Sequence, residues 1–202
     1  PRASILLQRN EQYHSAAAVK LDSVEYFPIE EPAQELARYR AGELEVTETI
    51  PAGRFAWLQE NLPDDLRVHP YLGTFWLGLN LQHPPLGNSR ELRRALSLAI
   101  DRSILAEKVL GAGEVPAWSV VPPGIPGYEP AEMDYAGSSQ EERNAEARRL
   151  FRQAGFTDDQ PLLLELRYNT SGIHRRMAVA VAAMWKQALG VNTELVNEEW
   201  KV

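Results

Sequence analysis

The first seventy residues alternate between short apolar runs and stretches with a helical period. Ser4-Ile5-Leu6-Leu7 is a short apolar run, and residues 24–29 alternate as a strand whose far end is confined to an edge by Pro28. Over 32–41 the positions of Ala33, Leu36, Ala37 and Tyr39 predict a short helix, with Gly42 placed to stop it. Residues 44–47 read as a strand. A second helix follows over 51–62 with Phe55, Leu58 and Leu62 on one face, then a strand over 66–69. This β-α-β-α-β order predicts a sheet with covering helices.

The texture changes at Tyr71. Residues 71–80 form a long aromatic run with strand character that contains Gly73 and Gly78. Glycine inside a strand marks a bulge or a close approach. Asn88 then reads as an N-cap, with Glu91 completing a capping-box-like start, and Leu92, Ala95, Leu96, Ala99 and Ile100 keep the spacing of a buried helix face. Asp101 ends that helix and caps the next, 103–110, which Gly111 stops. Residues 111–137 are rich in Gly and Pro and predict a long loop, either functional or wrapped on a surface. A charged helix over 141–154, a strand over 162–168, a helix over 173–189 and a strand over 191–196 complete the pattern. Repeats and low-complexity tracts are absent from the sequence.

Charge sharpens the division. Residues 1–70 carry 7 Lys and Arg against 12 Asp and Glu, whereas 71–202 carry 14 against 16, so a boundary is expected inside the 71–80 strand. The 202 residues are 44% hydrophobic and 24% charged, which excludes wholesale disorder. A net charge of -7 is a poor match for a nucleic-acid phosphate backbone. Zero cysteines exclude a disulfide scaffold, a Cys-ligated metal and a thiol nucleophile. The longest mostly apolar stretch, 177–185, is about half a membrane span. The chain opens on PRAS with neither Met nor a signal segment, so a piece of something larger is expected.

Most catalytic constellations are missing. The four histidines, His14, His69, His83 and His174, show no metal-binding spacing. Gly111-Ala112-Gly113 is half of a dinucleotide fingerprint, but it follows a helix and has Pro at 116, and GK[ST] is absent. No GxSxG occurs, and paired acids such as Glu30-Glu31, Asp64-Asp65 and Asp158-Asp159 read as solvated caps. One junction remains, Tyr168-Asn169-Thr170-Ser171-Gly172-Ile173-His174, where a strand hands over to a helix. Two readings stay open for it. Either the polar residues cap the helix and His174 is solvated, or the junction presents donors to an anionic group. The aromatics Tyr71 and Trp76 are likewise either core or ligand-facing.

The order of motifs resembles a known family. Leu7-Gln8-Arg9-Asn10 with Tyr13 is followed by Arg38-Tyr39-Arg40-Ala41-Gly42-Glu43-Leu44, then Pro85-Leu86 and Arg94-Ala95-Leu96-Ser97-Leu98-Ala99-Ile100-Asp101-Arg102. Pro116-Ala117-Trp118-Ser119, Pro122-Pro123-Gly124, Glu146-Ala147-Arg148-Arg149-Leu150-Phe151, Tyr168-Asn169-Thr170-Ser171 and Leu189-Gly190-Val191 continue the same register. In this order the chain resembles the periplasmic oligopeptide-binding proteins, solute-binding components of peptide ABC importers (extracellular solute-binding family 5), over essentially its whole length.

The resemblance implies an α/β fold of the periplasmic-binding-protein type, class II and two-lobed, present as a partial chain with mixed sheets covered by helices. Residues 1–70 would be the later part of the first lobe, 71–80 a hinge-crossing strand, and 81–202 the first half of the second ligand-binding lobe. The signal segment would precede Pro1, and the rest of the site, including the acid that holds the peptide's amine, would follow Val202. The function implied is capture of extended oligopeptides in the periplasm, or at a lipid-anchored extracellular face, and delivery to the membrane permease, by a monomer without cofactor, metal or bond chemistry. A non-peptide or specialised ligand (murein peptide, dipeptide, nickel chelate) is the alternative within the family. A peptidase-like enzyme is the alternative outside it.

Residue by residue, His174 matches the family histidine that meets a peptide's C-terminal carboxylate, and Asn169 matches a pocket-lining asparagine. Tyr71 and Trp76 fall at aromatic pocket positions, and Thr49 lies near a Tyr-Asn position across a one-residue gap. Three positions depart from close relatives. Gly78 stands where they have Glu, Leu110 where they have Lys, and Gly73 where some have a disulfide-bonded Cys. The peptide-length preference is therefore open.

Overall fold

Ile5–Gln8 and Ser23–Tyr26, here β1 and β2, pair antiparallel from Ile5↔Tyr26 to Gln8↔Ser23 in a computed structural model that describes residues 4–51, 53–69, 71–157 and 159–199. The chain separates into two compact units, Pro1–Pro51 and Ala52–Val202. In the first, Arg9 forms ion pairs with Glu11 at 2.8 Å and Asp22 at 3.1 Å beside the hairpin. Helix α1, Pro32–Arg40, starts on a proline, whose missing N–H costs nothing in the first turn. It stops at Gly42, which adopts φ 74° as the Gly42 and Glu43 amides turn back to the Tyr39 and Arg38 carbonyls.

The strand expected over 44–47 does not form. Val46 is 80% exposed, so the alternation has no core to face, and these residues pair with no strand. Instead the Glu48 amide donates to Glu35 Oε1 at 2.7 Å, tying this stretch to α1. The strand expected over 66–69 is also absent, so the anticipated β-α-β-α-β run is one hairpin, a 3-10 turn over Ala16–Ala18 and two α-helices among the described residues. Residues 71–80 likewise make no strand ladder, because an extended segment becomes a strand only where a second chain segment accepts its hydrogen bonds.

In the second unit, α2 spans Phe55–Asn61 and begins just after positive-φ Gly53, shorter than the 51–62 expected. Helix α3, Arg90–Leu98, is capped by Ser89, one residue later than expected: Ser89 Oγ accepts from the Leu92 amide at 3.1 Å. The capping box occurs at α5, Gln140–Gln153, where Ser139 and Glu142 satisfy each other's backbone amides. Asp101 caps α4, Arg102–Ile104, which widens into a π-helical turn over Leu105–Leu110 and ends at Gly111 with φ 67°.

Strands β3, Leu163–Asn169, and β4, Asn192–Glu198, pair in parallel with α6, Gly172–Leu189, as the crossover between them. The core lies where α3, α5, α6 and β3 meet. Leu92, Leu96, Ala147, Phe151, Leu164, Val181, Trp185 and Val191 are all buried in it. Trp185 also donates its indole N–H to the Leu96 carbonyl at 2.9 Å, joining α6 to α3 through the middle of the unit.

The long loop before α5 is held at its neck. The Met133 amide donates to the Trp118 carbonyl at 2.8 Å, and the guanidiniums of Arg102 and Arg143 stand 5.0 and 4.8 Å from the Trp118 ring centre. Burial pushes Arg102 below the usual arginine range, with Tyr135 acting in the opposite sense. Around this neck carboxylates are favoured in their charged form: Arg94 holds Asp134 down, the Ser139 amide and hydroxyl hold Glu142 down, and Arg149 holds Glu146 down. Groups depressed in the folded state contribute stability above their unfolded pKa and lose it as pH falls through the folded one. The thermal midpoint is therefore expected to hold near neutrality and decline below about pH 4, read by circular dichroism melts across that range. A midpoint that rises on acidification would contradict it.

Candidate functional site

The 168–174 junction is built by the parallel pairing of β3 and β4. Their carboxyl ends lie side by side, with Asn169 opposite Glu198. One residue further, the Thr170 amide still donates to the Glu198 carbonyl at 3.0 Å, while its Oγ1 reaches Asn197 Oδ1 at 3.0 Å and Glu199 Oε1 at 3.2 Å. Arg167 is engaged by Glu165 and by Glu198, the latter at 2.6 Å. Helix α6 then starts at Gly172, with Ser171 as N-cap accepting from the His174 amide at 3.4 Å. Carboxyl ends of parallel strands and the helix start beside them are where open α/β sheets present ligands.

Two of the expected residues are brought together here. His174 Nδ1 hydrogen-bonds to Asn169 Oδ1, across the turn that separates strand from helix. Both side chains are half-buried. The ring is further packed by Phe75, whose centroid lies 5.3 Å away at an interplanar angle of 38°. The sequence reading missed Phe75. Its signal was present, since 71–80 is rich in aromatic and apolar residues, but nothing local says which of the six such positions reaches His174.

Tyr71 and Trp76 lie on the same extended segment as Phe75 and are 88% and 70% exposed. They are therefore not core. Leu77, between Trp76 and Gly78, is the position that packs against the buried cluster. The two glycines give the rings their room. A Cβ at Gly73 would stand 2.5 Å from Tyr71 Cε1, and one at Gly78 would stand 3.0 Å from Trp76 Cζ3. Gly73 and Gly78 are thus the positions over which these two aromatic rings fold. Leu110 is half-buried at the end of the π-helical turn. Thr49 belongs to the first unit, is half-buried, and makes no hydrogen bond among the described residues.

The arrangement offers hydrogen bonds, one imidazole and exposed aromatic faces. Ser171 Oγ accepts from the backbone amide of His174, and the imidazole is bonded to the amide of Asn169. Among the described residues no group of three or more His, Asp or Glu is placed to hold a metal ion.

Comparison with known proteins gives a consistent picture. The model of the bacterial extracellular solute-binding proteins, family 5 Middle, matches residues 1–202. The chain is 42% identical over 198 residues to the periplasmic oligopeptide-binding protein OppA of Salmonella typhimurium, covering 98% of this chain and 36% of that protein. Its structure is similar to that of the Escherichia coli murein tripeptide binding protein MppA, with a TM-score of 0.89 and 39% identity over 98% of this chain and 39% of the other. It is also similar to Haemophilus influenzae OppA in complex with RPPGFSPFR, with a TM-score of 0.85 and 34% identity, again over 98% of this chain and 39% of the other. The chain thus spans 36% of the length of the Salmonella relative.

Proposed function

The chain belongs to the bacterial extracellular solute-binding proteins of family 5, and from that membership we propose that the whole protein captures oligopeptides in the periplasm and hands them to an ABC importer. The observation that carries the reading is the His174–Asn169 pair at the carboxyl ends of β3 and β4, a half-buried imidazole held in one orientation beside the exposed ring of Phe75. In this proposal His174 faces the ligand's carboxylate, Asn169 lines the pocket beside it, and Tyr71 and Trp76 stack on ligand side chains. Thr49 belongs to the same proposal as a further ligand-binding residue. The lobe assignment belongs to the same proposal, with 1–70 in one lobe, 71–80 as the crossing and 81–202 in the other. The protein acts as a monomer, meets the permease as its partner, and breaks no bond in its ligand.

A murein peptide is the second reading, supported by the likeness to the murein tripeptide binding protein. Mass spectrometry of material released by denaturing the natively purified full-length protein separates the two. Ordinary short peptides of mixed sequence are expected. Peptides carrying only cell-wall amino acids would favour the second reading, and release of a non-peptide molecule alone would overturn both.

A further inference from the structure

The bond that holds His174 also decides which ring nitrogen is left for a ligand. Asn169 presents its amide oxygen to Nδ1, and an amide oxygen only accepts, so Nδ1 carries the hydrogen. In the neutral ring Nε2 then has a lone pair and no proton. Rotating the ring to exchange the two nitrogens would break the Asn169 bond and the packing on Phe75. A carboxylate is also an acceptor. Facing each other, a neutral Nε2 and a carboxylate offer two lone pairs and no hydrogen. The contact becomes attractive when Nε2 takes up a proton and donates as an imidazolium.

The surroundings leave that charge for the ligand to balance. Titratable groups on the elements packed around the ring are Arg175 and Arg176 of α6, Arg167 and Tyr168 of β3, Glu198 of β4 with Glu199 beyond it, and Tyr71 on the segment that carries Phe75. Arg167 is engaged by Glu165 and Glu198, and Glu199 by Thr170. Among the described residues none of these groups forms a hydrogen bond or ion pair with the His174 ring. Residue 174 also sits in the first turn of an 18-residue helix, whose partial positive end an imidazolium adds to and an anion offsets. Proton and anion therefore favour each other's arrival.

We propose that His174 captures an anionic ligand group together with a proton, so that binding of a free carboxylate at this junction is proton-linked, with Asn169 as the positioning residue that reserves Nε2 for the ligand. This rests on the reading of His174 as the carboxylate-facing residue. The sign follows from linkage. Binding takes up a proton, so affinity is greater at lower pH. It falls as pH rises, by at most about tenfold per pH unit for one linked proton.

Calorimetric titration of the full-length protein, in buffers of different ionisation heat between about pH 6 and 8, reads that proton directly. Among tri- to pentapeptides with a free C-terminus, the length whose C-terminus reaches the junction is expected to take up close to one proton towards the upper end of that range, and the same peptide amidated none. His174→Gln keeps a polar side chain that cannot titrate and should abolish the uptake. Asn169→Asp places at Nδ1 a carboxylate that would balance an imidazolium in the ligand's place, so uptake should drop. Tight binding of the free acids with no proton uptake at any length, or uptake that survives His174→Gln, would overturn the proposal while leaving peptide binding intact. Failure of the wild-type protein to bind any of these peptides, free or amidated, would instead remove the underlying function.

Discussion

Replacing Trp185 with alanine is expected to destabilise the second unit by about 3–5 kcal/mol, the range for deleting a buried large aromatic side chain. The residue is 3% exposed in the cluster formed by α3, α5, α6 and β3, so neighbours on all sides would have to collapse to fill the space. Its indole N–H also satisfies the Leu96 carbonyl inside α3, and truncation leaves that acceptor without its side-chain donor. Trp185→Phe separates the two effects. It retains most of the ring volume and loses only the hydrogen bond and part of the packing, so a loss of about 1–3 kcal/mol is expected. Urea unfolding of the full-length protein followed by circular dichroism reads both variants. If alanine and phenylalanine cost the same, the ring's burial does not hold α6 on α3.

The second large effect falls on binding. His174→Ala removes the charge-assisted partner of a ligand carboxylate, a contact worth about 1.5–3 kcal/mol, or roughly tenfold to a hundredfold in affinity. The loss should be selective for length. Only the peptide whose C-terminus reaches the β3–α6 junction meets His174, so one length weakens sharply and its neighbours change little. Asn169→Ala should weaken the same length by a smaller factor, because the imidazole remains but loses the bond that orients it. A uniform loss across lengths, or no loss, would remove His174 from the carboxylate role.

How much of this was legible in the sequence depended on whether a segment carries its own partner. Helices α3, α5 and α6 were readable because their caps and apolar stripes are local, and Gly42, Gly111 and Gly155 stop helices within one residue of where their positive φ is found. Strands β3 and β4 were readable because α6 brings them together as one crossover unit. The segments 44–47, 66–69 and 71–80 have the alternation of strands but no ladder, since alternation records exposure and a strand needs a neighbour. The cap of α3 was misplaced by one residue because Asn88 and Ser89 both suit the role, and only Ser89 Oγ reaches the Leu92 amide.

The candidate site divides along the same line. Asn169 and His174 are five residues apart, so a strand-to-helix turn between them was enough to suggest that they meet, and they do. Phe75 reaches the same ring from about a hundred residues away, which only the fold reveals. The roles of Gly73 and Gly78 were legible only as departures from a family pattern. The space each leaves for the ring of Tyr71 or Trp76 depends on how those side chains turn back along the chain.

The central claim is that the whole protein binds short peptides, and calorimetric titration of the full-length protein with tri- to pentapeptides tests it most directly. Saturable binding of one peptide per protein is expected, with a dissociation constant at or below ~1 μM for the preferred length, equivalent to about −8 kcal/mol. No heat of binding for any of these lengths at millimolar peptide would contradict it.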